Sequence, residues 1–341
     1  MKIVTFGEIL LRLATPGYTK LFQKEVLEAT FCGSEANVAV SLAMFGLETE
    51  FITKIPQNDI GIAAINSLRY FGVNTEKVVY GDGRMGLYYL EKGASQRPSK
   101  VIYDRTYSAI SLAKKEDFDW DKIFEDVKWF HWTGINPALS DNLAEICLEA
   151  CKKAKEKGIT ISCDLNFRGK LWSAEKAQST LPKLMKYVDV CIANEEDAEK
   201  ALGLKSYGTN TEEAIINRAG YVHTAELIHK LYGCKYVATT LRKSFSASVN
   251  GWSAMLYDAL KHEAYFSKKY SIQLIDRVGG GDSFAAGLIY GLAQSLENQT
   301  IIEFATAASC LKQTIEGDYN RSTVEDVFAL MNSNGNGRVQ R

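Results

Sequence analysis

The sequence has little of what metal centres, disulfide frameworks and membrane segments are built from. Its 341 residues include only 4 histidines, and its 7 cysteines are scattered and odd in number, without a Cys-x-x-Cys pair. This usage argues for reduced thiols rather than a zinc or disulfide framework. No stretch reaches the roughly 20 apolar residues of a membrane span, and Glu8 and Arg12 interrupt the N-terminal apolar run, unlike in a signal peptide. We therefore expect a soluble, cytoplasmic protein.

The chain also lacks an excess of charge of either sign. It has 40 basic and 41 acidic residues, a formal net charge of −1, and no block of basic residues. This balance argues against nucleic acid or a membrane surface as a partner. Because a domain takes roughly 100–200 residues, the length allows one large domain with an appendage or two smaller domains.

Three consecutive glycines, Gly279, Gly280 and Gly281, precede Asp282 and a helical apolar pattern. Glycine lets another molecule approach the backbone closely, and Asp282 and Ser283 are good helix starters. The free N–H groups and the dipole of a helix start suit a phosphate. Because a carboxylate repels phosphate, we predict that Asp282 instead takes the proton of a substrate hydroxyl that attacks a nucleoside triphosphate. A flexible glycine linker followed by an ordinary helix cap remains the alternative.

The turn lacks the lysine of a Walker loop, and no βαβ unit precedes it as in a dinucleotide fingerprint. The string DRVGGGDSFAAG, from Asp276 to Gly287, resembles the C-terminal signature of the ribokinase-like (PfkB) carbohydrate kinases. The usual signature has threonine and alanine where this chain has Arg277 and Gly280, a variant similar to that of the 2-keto-3-deoxygluconate kinases. The resemblance extends from TFGEILLRL near the N-terminus to EGDYNRSTVEDV near the C-terminus, which covers nearly the whole chain.

Short β-like runs alternate with amphipathic helical patterns, including a predicted helix from Thr211 to Tyr232. This alternation predicts an α/β protein whose parallel sheet is covered on both faces. The rhythm breaks at Met85–Glu91 and Lys100–Arg105, where two alternating runs favour an antiparallel pair.

The resemblance implies a ribokinase-like three-layer α/β/α sandwich with a mainly parallel sheet and a small β-sheet lid. We expect one kinase domain over residues 1–332, with lid segments at about 10–31 and 85–105. Residues 333–341 are expected to form a disordered tail. Because lids of this family often pair between subunits, a homodimer or higher homo-oligomer through the lid is implied as well.

From the resemblance we expect the sugar to lie under the lid. The GSEAN segment matches a glycine and an asparagine of the family's sugar pocket, and DLNFR looks like a keto-acid kinase motif whose arginine binds the carboxylate. The implied substrate contacts are Gly33, Ser34, Asn37, Tyr89, Tyr103, Arg105, Arg168 and Asp282. Without the family, Asn37 is equally typical of a helix's solvent face and Arg168 of a surface arginine.

The resemblance also implies a site for ATP and magnesium near the carboxyl ends of the strands, where ligands gather in parallel sheets. The implied nucleotide contacts are Asp164, Asn166, Asn194, Thr239, Leu241, Arg242, Gly279, Gly281, Ala308 and Lys312. Asn194 and Asp197 are the implied magnesium residues, with Asp197 acting through water because it stands where the family has a longer glutamate. Without the family, Asp197 is typical of an acidic first helical turn. The sequence leaves open whether a monovalent cation is also required.

We therefore predict an ATP-dependent kinase that phosphorylates a hydroxyl of 2-keto-3-deoxygluconate, with Asp282 as base and the amides of Gly279, Gly280, Gly281 and Asp282 as anion hole. A fructokinase-like or other neutral-sugar kinase is the alternative within the same class. A non-catalytic sugar- or nucleotide-binding regulator on the same fold is the alternative from another class. An NAD-dependent oxidoreductase would need a glycine-rich fingerprint after the first strand, where only Gly7 occurs.

Overall fold

A computed structural model describes residues 1–205 and 217–333 of the chain. The strands are β1 (Lys2–Phe6), β2 (Leu10–Ala14), β3 (Glu28–Cys32), β4 (Glu48–Ile52), β5 (Lys54–Pro56), β6 (Val79–Gly81), β7 (Gly86–Glu91), β8 (Lys100–Asp104), β9 (Val127–Thr133), β10 (Thr160–Asp164), β11 (Val190–Ala193), β12 (Tyr236–Ser244), β13 (Val249–Asp258), β14 (Glu263–Phe266) and β15 (Tyr270–Gln273). The α-helices are α1 (Ser34–Met44), α2 (Asp59–Arg69), α3 (Trp120–Ile123), α4 (Ile135–Leu139), α5 (Asp141–Glu156), α6 (Ala174–Met185), α7 (Glu195–Leu202), α8 (Arg218–Tyr232), α9 (Gly280–Ala293), α10 (Asn298–Lys312) and α11 (Val324–Asn332). Two 3-10 turns lie at Ile110–Leu112 and Lys115–Asp117.

The central sheet has nine strands in the order β14-β13-β12-β11-β10-β9-β1-β4, with β15 also paired to β13. The pairs from β12 through β4 are parallel, whereas β13 pairs antiparallel with β12, β14 and β15. All four residues of β11 are buried, as expected for a strand covered on both faces. The predicted α/β fold with a mainly parallel sheet is confirmed.

Helices cover both faces of this sheet and create two separate cores. One core contains Leu143 of α5 and Leu181 of α6. The other contains Val38 of α1, Phe284 of α9 and Ile302 of α10. Helices α5 and α6 bury one apolar stripe against the sheet, whereas α1, α9 and α10 are buried on most of their surface. The result is the expected three-layer sandwich.

A second sheet of four strands, in the order β3-β2-β7-β8, lies apart from the first, and we call it the lid. The expected antiparallel pair is present as β7 and β8, with Tyr88 opposite Tyr103. Strand β2 joins it in parallel to β7. The lid carries few apolar residues of its own core, so its inner face depends on contact with the body of the protein.

The start of one helix differs from the sequence prediction. Helix α9 is capped by Gly279 at φ 79° and begins at Gly280, so Asp282 lies inside the first turn rather than at its start. Only glycine adopts such a φ readily, so the helix is capped at Gly279 and begins before Asp282. Of the predicted helix 211–232, α8 is described from Arg218, and residues 211–216 lie outside the described residues, as does most of the predicted tail, 334–341. No helix in the described ranges is long and apolar enough to cross a membrane.

Candidate active site

A cavity of about 520 Å³ opens between the lid, the glycine turn before α9 and the carboxyl ends of β10 and β11. Its lining brings together most of the residues that the sequence singled out. These are Gly33, Ser34, Asn37, Tyr103, Arg105, Asp164, Asn166, Arg168, Asn194, Asp197, Arg242, Gly279, Gly280, Gly281 and Asp282. Residues from distant parts of the chain meet here because parallel strands end at the same edge of the sheet.

Asp282 is held in the first turn of α9 by the start of α1. Its carboxylate accepts a hydrogen bond from Ser34 Oγ at 2.5 Å and from Asn37 Nδ2 at 2.7 Å. Asn166, which adopts an unusual φ of 40°, donates to Ser34 Oγ at 3.0 Å and extends this network. Desolvation raises the pKa of Asp282 to about 6, although both hydrogen bonds lower it. The carboxylate is therefore oriented and ready to accept a proton near neutral pH.

The glycine turn approaches its neighbours too closely for a side chain. A Cβ on Gly279 would lie 2.2 Å from the carbonyl oxygen of Asp318, and one on Gly280 would lie 3.0 Å from Gln313. At Gly281 nothing lies within 4 Å of such an atom, so this residue leaves its backbone open to the cavity. The N–H groups of a first helical turn have no partner four residues back, which makes the turn suitable for an anion.

Tyr88, rather than the predicted Tyr89, lines the cavity. Successive side chains of a strand point to opposite faces, so only one of the two tyrosines on β7 can do so. Tyr88 is buried, and its hydroxyl lies 3.0 and 2.9 Å from the carboxylate oxygens of Asp318. Tyr89 is on the other face of the lid, so the structure does not bring it to this cavity.

The two predicted arginines differ in what they contact. Arg105 is buried and its guanidinium binds the carboxylate of Glu8, through Nε at 2.8 Å and through Nη2. Arg168 is exposed at the cavity, and the hydrogen bond found for its side chain within the described residues is Nη1 to the carbonyl of Phe167 at 3.0 Å. Arg168 therefore keeps most of its donors available, whereas Arg105 is largely neutralised.

Four predicted nucleotide contacts do not line the cavity. On β12, Thr240 and Arg242 face it, so Thr239 and Leu241 point to the opposite face, where Leu241 joins a hydrophobic core. On α10, Ala308 packs in the other core. Lys312 is fully buried, with its ammonium on the carbonyls of Asp276 and Ile315, and the next residue, Gln313, reaches the cavity instead. The structure therefore does not bring these four residues to the cavity, and their nucleotide contacts stay predictions.

Asp197 forms a capping box with Asn194 at the start of α7. Its oxygens accept backbone N–H groups of Asn194 at 3.1 Å and Phe167 at 2.8 Å, and Asn194 Oδ1 accepts the N–H of Asp197 at 2.8 Å. Burial raises the pKa of Asp197 to about 6. No cluster of three or more His, Cys, Asp or Glu suited to a metal occurs in the described ranges. The lining fits a magnesium ion held through water and phosphate oxygens, with Asp197 beside it.

Several polar residues of the cavity were missed by the sequence analysis: Glu8, Glu35, Arg277, Gln313 and Asp318. Glu35 is buried and accepts hydrogen bonds from the backbone N–H of Thr133 at 3.1 Å and its hydroxyl at 2.6 Å, while burial raises its pKa to about 7. Among these residues, only Arg277 could have been singled out from the sequence, because it departs from the usual signature. Burial and the charge of Arg242 lower the pKa of Arg277, as expected for two guanidinium groups sharing one site.

A buried ion cluster joins the lid to the glycine turn. Arg12 of β2 forms salt bridges to both Asp276 and Asp318. Asp276 begins the turn, and Asp318 lies in the loop that packs on Gly279. The lid is therefore tied to the glycine turn by charge as well as by packing.

The comparisons with known proteins agree with this architecture. The family model of the pfkB family carbohydrate kinases matches residues 1–324. A solved structure of 2-dehydro-3-deoxygluconokinase from Thermotoga maritima is 50% identical, covers 98% of this chain and 100% of that chain, and superposes with a TM-score of 0.94. The 2-dehydro-3-deoxygalactonokinase of Haloferax volcanii is 29% identical over 97% of this chain and 96% of its own length. The 2-dehydro-3-deoxygluconokinase of Bacillus subtilis is 26% identical over 92% of this chain and 90% of its own length.

The family model matches nearly the whole length of a chain whose cavity holds an oriented carboxylate beside the glycine turn. The chain belongs to the pfkB family of carbohydrate kinases.

Proposed function

We propose that this protein transfers the γ-phosphoryl group of ATP to a hydroxyl of 2-keto-3-deoxygluconate, also called 2-dehydro-3-deoxygluconate. The observation that carries the proposal is one cavity lined by both Asp282, held beside the glycine turn, and Arg168, whose guanidinium has no carboxylate partner within the described residues. The first supplies a base, and the second supplies a receptor for an acid. The name of the 50% identical Thermotoga maritima protein supports the same substrate.

The transfer step uses the carboxylate of Asp282 and the backbone N–H groups of the glycine turn. Asp282 accepts the proton of the substrate hydroxyl while the hydroxyl oxygen forms a bond to the γ-phosphorus. The bond between that phosphorus and the β,γ-bridging oxygen breaks, and ADP leaves with the electron pair. The N–H of Gly280 donates to the carbonyl of Arg277 at 3.3 Å, so the backbone N–H groups at Gly281 and Asp282 stabilise the charge that develops on the phosphoryl oxygens.

Recognition of the sugar acid rests on the charges on the lid side of the cavity. A guanidinium offers a planar fork that matches a carboxylate, so Arg168 is the reader we propose for the acid group. Glu8 lines the same cavity, and its Oε1 has no hydrogen-bond partner within the described residues. A buried acceptor of this kind suits a sugar hydroxyl. Tyr103 and Tyr88 complete this wall.

The nucleotide side is supplied by the turn, β11 and β12. Arg242 and Arg277 line the cavity and make no salt bridge within the described residues, so we assign them to the phosphates of ATP. Magnesium neutralises phosphate oxygens when it is bound. Asn194 and Asp197 would hold its water ligands. Each carboxylate oxygen of Asp197 accepts one backbone N–H group, which orients the carboxylate and leaves lone pairs for water.

A second sugar acid has specific support. The Haloferax volcanii relative is named for 2-dehydro-3-deoxygalactonate, which differs from 2-dehydro-3-deoxygluconate in configuration at C4. Both acids carry the carboxylate that Arg168 would bind. The discrimination between them therefore depends on hydroxyl contacts such as the one we propose for Glu8, and not on charge.

We also infer a single kinase domain over residues 1–332, with lid segments 10–31 and 85–105, that pairs through its lid. Ile102 on β8 is 42% exposed and Val26 before β3 is 62% exposed, which supports a partner on the outer face. The seven cysteines are free and buried, which supports a reducing compartment such as the cytosol. Light scattering of the purified protein would give its oligomeric state.

The test of the proposed reaction is a phosphorylation screen with ATP and magnesium over 2-keto-3-deoxygluconate, 2-keto-3-deoxygalactonate, fructose and ribose, monitored as ADP release. We expect both acids, or one of them, to be phosphorylated far faster than the neutral sugars. Faster turnover of fructose would favour a neutral-sugar kinase. ATP binding without turnover of any of the four sugars would favour a non-catalytic regulator.

A further inference from the structure

Lys312 ends α10 and is fully buried beneath the glycine turn. Its Nζ lies 3.2 Å from the carbonyl oxygen of Asp276 and 3.3 Å from that of Ile315. Both partners can only accept, so the lysine donates in each contact. No salt bridge to Lys312 occurs within the described residues, which is unusual for a buried ammonium, since buried charges are normally paired.

The two carbonyls belong to the two loops that shape the anion-binding turn. The backbone N–H groups of Ile275 and Asp276 donate to the carbonyl of Gln313 at 3.0 and 3.2 Å. The N–H of Gly317 donates to the Asp276 carboxylate at 3.2 Å. Gly279 packs so closely on Asp318 that a Cβ there would lie 2.2 Å from its carbonyl oxygen. The loop 313–318 therefore fixes the conformation of the glycine turn through these hydrogen bonds and this close packing.

The ammonium of Lys312 lies where the carbonyl dipoles of both loops converge. Converging backbone carbonyls are the ligands that proteins offer to a potassium ion, because their oxygens replace its hydration shell. An ammonium group has the same charge and meets the same oxygens. Burial lowers the pKa of Lys312 below its usual value, and the charges of Asp276 and Asp318 offset part of that lowering.

We propose that the ammonium group of Lys312 takes the place of a bound monovalent cation. Lys312 is then a positioning residue that holds the glycine turn in the conformation that binds the transferred phosphoryl group. Phosphoryl transfer then proceeds without potassium. The proposal rests on the proposed kinase reaction, because activity is its main readout. It also answers the question, open from the sequence, of whether this chain needs an added monovalent cation.

The first measurement is kcat and KM for ATP of the wild-type protein in tetramethylammonium chloride and in potassium chloride. We expect the two kcat values to agree within about 2-fold. Lys312→Ala removes the ammonium and leaves room for an ion. In tetramethylammonium its kcat should fall by about 10-fold or more, and potassium or ammonium should restore most of the loss with saturation. Lithium, which is much smaller, should restore little.

Two further variants separate this role from a merely structural one. Lys312→Met keeps the length without the charge and leaves no room for an ion, so its loss of activity should not respond to potassium. Lys268→Ala is the matched control, because Lys268 also donates to two carbonyls, those of Leu330 at 3.3 Å and Met331 at 2.6 Å, away from the cavity. Its activity should not depend on the cation.

Potassium stimulation of the wild type by about 5-fold or more would overturn the proposal, because it would require a separate cation site. Full activity of Lys312→Ala in tetramethylammonium, or an unrescued loss, would overturn it too. If Lys312→Ala does not fold, Lys312→Gln takes its place. If no sugar is phosphorylated in either salt, the proposed reaction fails instead, and the same cation comparison is made on ATP affinity by calorimetry, where rescue of Lys312→Ala supports the positioning role and its absence overturns it.

Discussion

Asn37 donates a hydrogen bond of 2.7 Å to the carboxylate of Asp282, although 245 positions separate the two residues in the sequence. The contact joins the first turn of α1 to the first turn of α9. The asparagine therefore fixes the base itself, in addition to lining the cavity that we assign to the sugar. One face of the site is thus built by the first turns of two helices that pack against each other.

Asp282→Asn tests the base directly. The amide keeps the size of the side chain but cannot accept a proton at neutral pH. We expect kcat to fall by about 10²–10⁴-fold, the usual contribution of a general base, while calorimetry gives an unchanged affinity for ATP. A variant with near-normal turnover would mean that the glycine run is only a linker and Asp282 only a residue of a helix start.

The pH dependence of kcat/KM should have an acidic limb near pH 6. The pKa of Asp282 is raised from its usual value to about 6, and the base acts only when it is ionised, so activity is lost as pH falls through 6. Ser34 and Asn37 lower this pKa through their hydrogen bonds. Ser34→Ala and Asn37→Ala should therefore move the limb to higher pH.

Glu35 needs a control, because it also lines the cavity and its pKa is raised to about 7. Glu35→Gln keeps an acceptor for Thr133 and removes the titration. If the limb near pH 6 stays in this variant, it belongs to Asp282. If it disappears, the limb was set by Glu35, and the assignment of the base must rest on the Asp282→Asn result alone.

The glycine turn, the aspartate beside it and the helix that follows could be predicted from the sequence, because they are local features. It did not determine which way each side chain of a strand points. Tyr88 and Tyr89 are neighbours on one strand and point to opposite faces of it, as do Thr239 and Thr240. The alternating pattern did not reveal which of the two faces lines the cavity.

Long-range pairing was the second thing that the sequence could not reveal. Arg12 reaches Asp318 across 306 positions, and no local pattern marks the two as partners. Lys312 stands in an apolar helix end, where a lysine is normally expected to reach solvent. Its burial follows from two loops folding over it, which is a property of the tertiary structure.

Arg12→Met should destabilise the protein strongly. The substitution leaves the buried carboxylates of Asp276 and Asp318 without their guanidinium, and breaking a buried pair in this way costs roughly 3–5 kcal/mol. Urea unfolding gives the free energy of unfolding. Arg84→Met is the matched control, since its salt bridge to Asp104 joins side chains that are 40% and 49% exposed. Such a surface pair contributes roughly 0–1 kcal/mol. Equal losses in the two variants would contradict the buried cluster.

Arg277→Gln should weaken ATP binding. A hydrogen bond to a charged group contributes roughly 1.5–3 kcal/mol, which corresponds to an increase of about 10- to 100-fold in the KM for ATP. Lys243→Gln is the control, because Lys243 is exposed on the same strand as Arg242 and does not line the cavity. If both variants raise KM equally, the effect is one of general charge and not of a phosphate contact.

Arg168→Leu separates a sugar-acid kinase from a neutral-sugar kinase. In the wild type we expect 2-keto-3-deoxygluconate to be preferred over fructose by at least about 100-fold in kcat/KM, because a neutral sugar leaves the guanidinium unpaired and about 2.7 kcal/mol corresponds to two decades. The variant should lose most of that preference and keep its affinity for ATP. Arg105→Leu is not equivalent, since Arg105 is bound to Glu8 and its removal disturbs the fold.

Lys170→Leu is the matched control for this last experiment, because Lys170 is exposed two residues away and does not line the cavity. Its preference for the acid should equal that of the wild type. The measurement is kcat/KM for the acid and for fructose in all three proteins. If the wild type prefers fructose, or if Arg168→Leu keeps the full preference for the acid, then Arg168 does not bind the carboxylate, and in the first case the protein phosphorylates a neutral sugar.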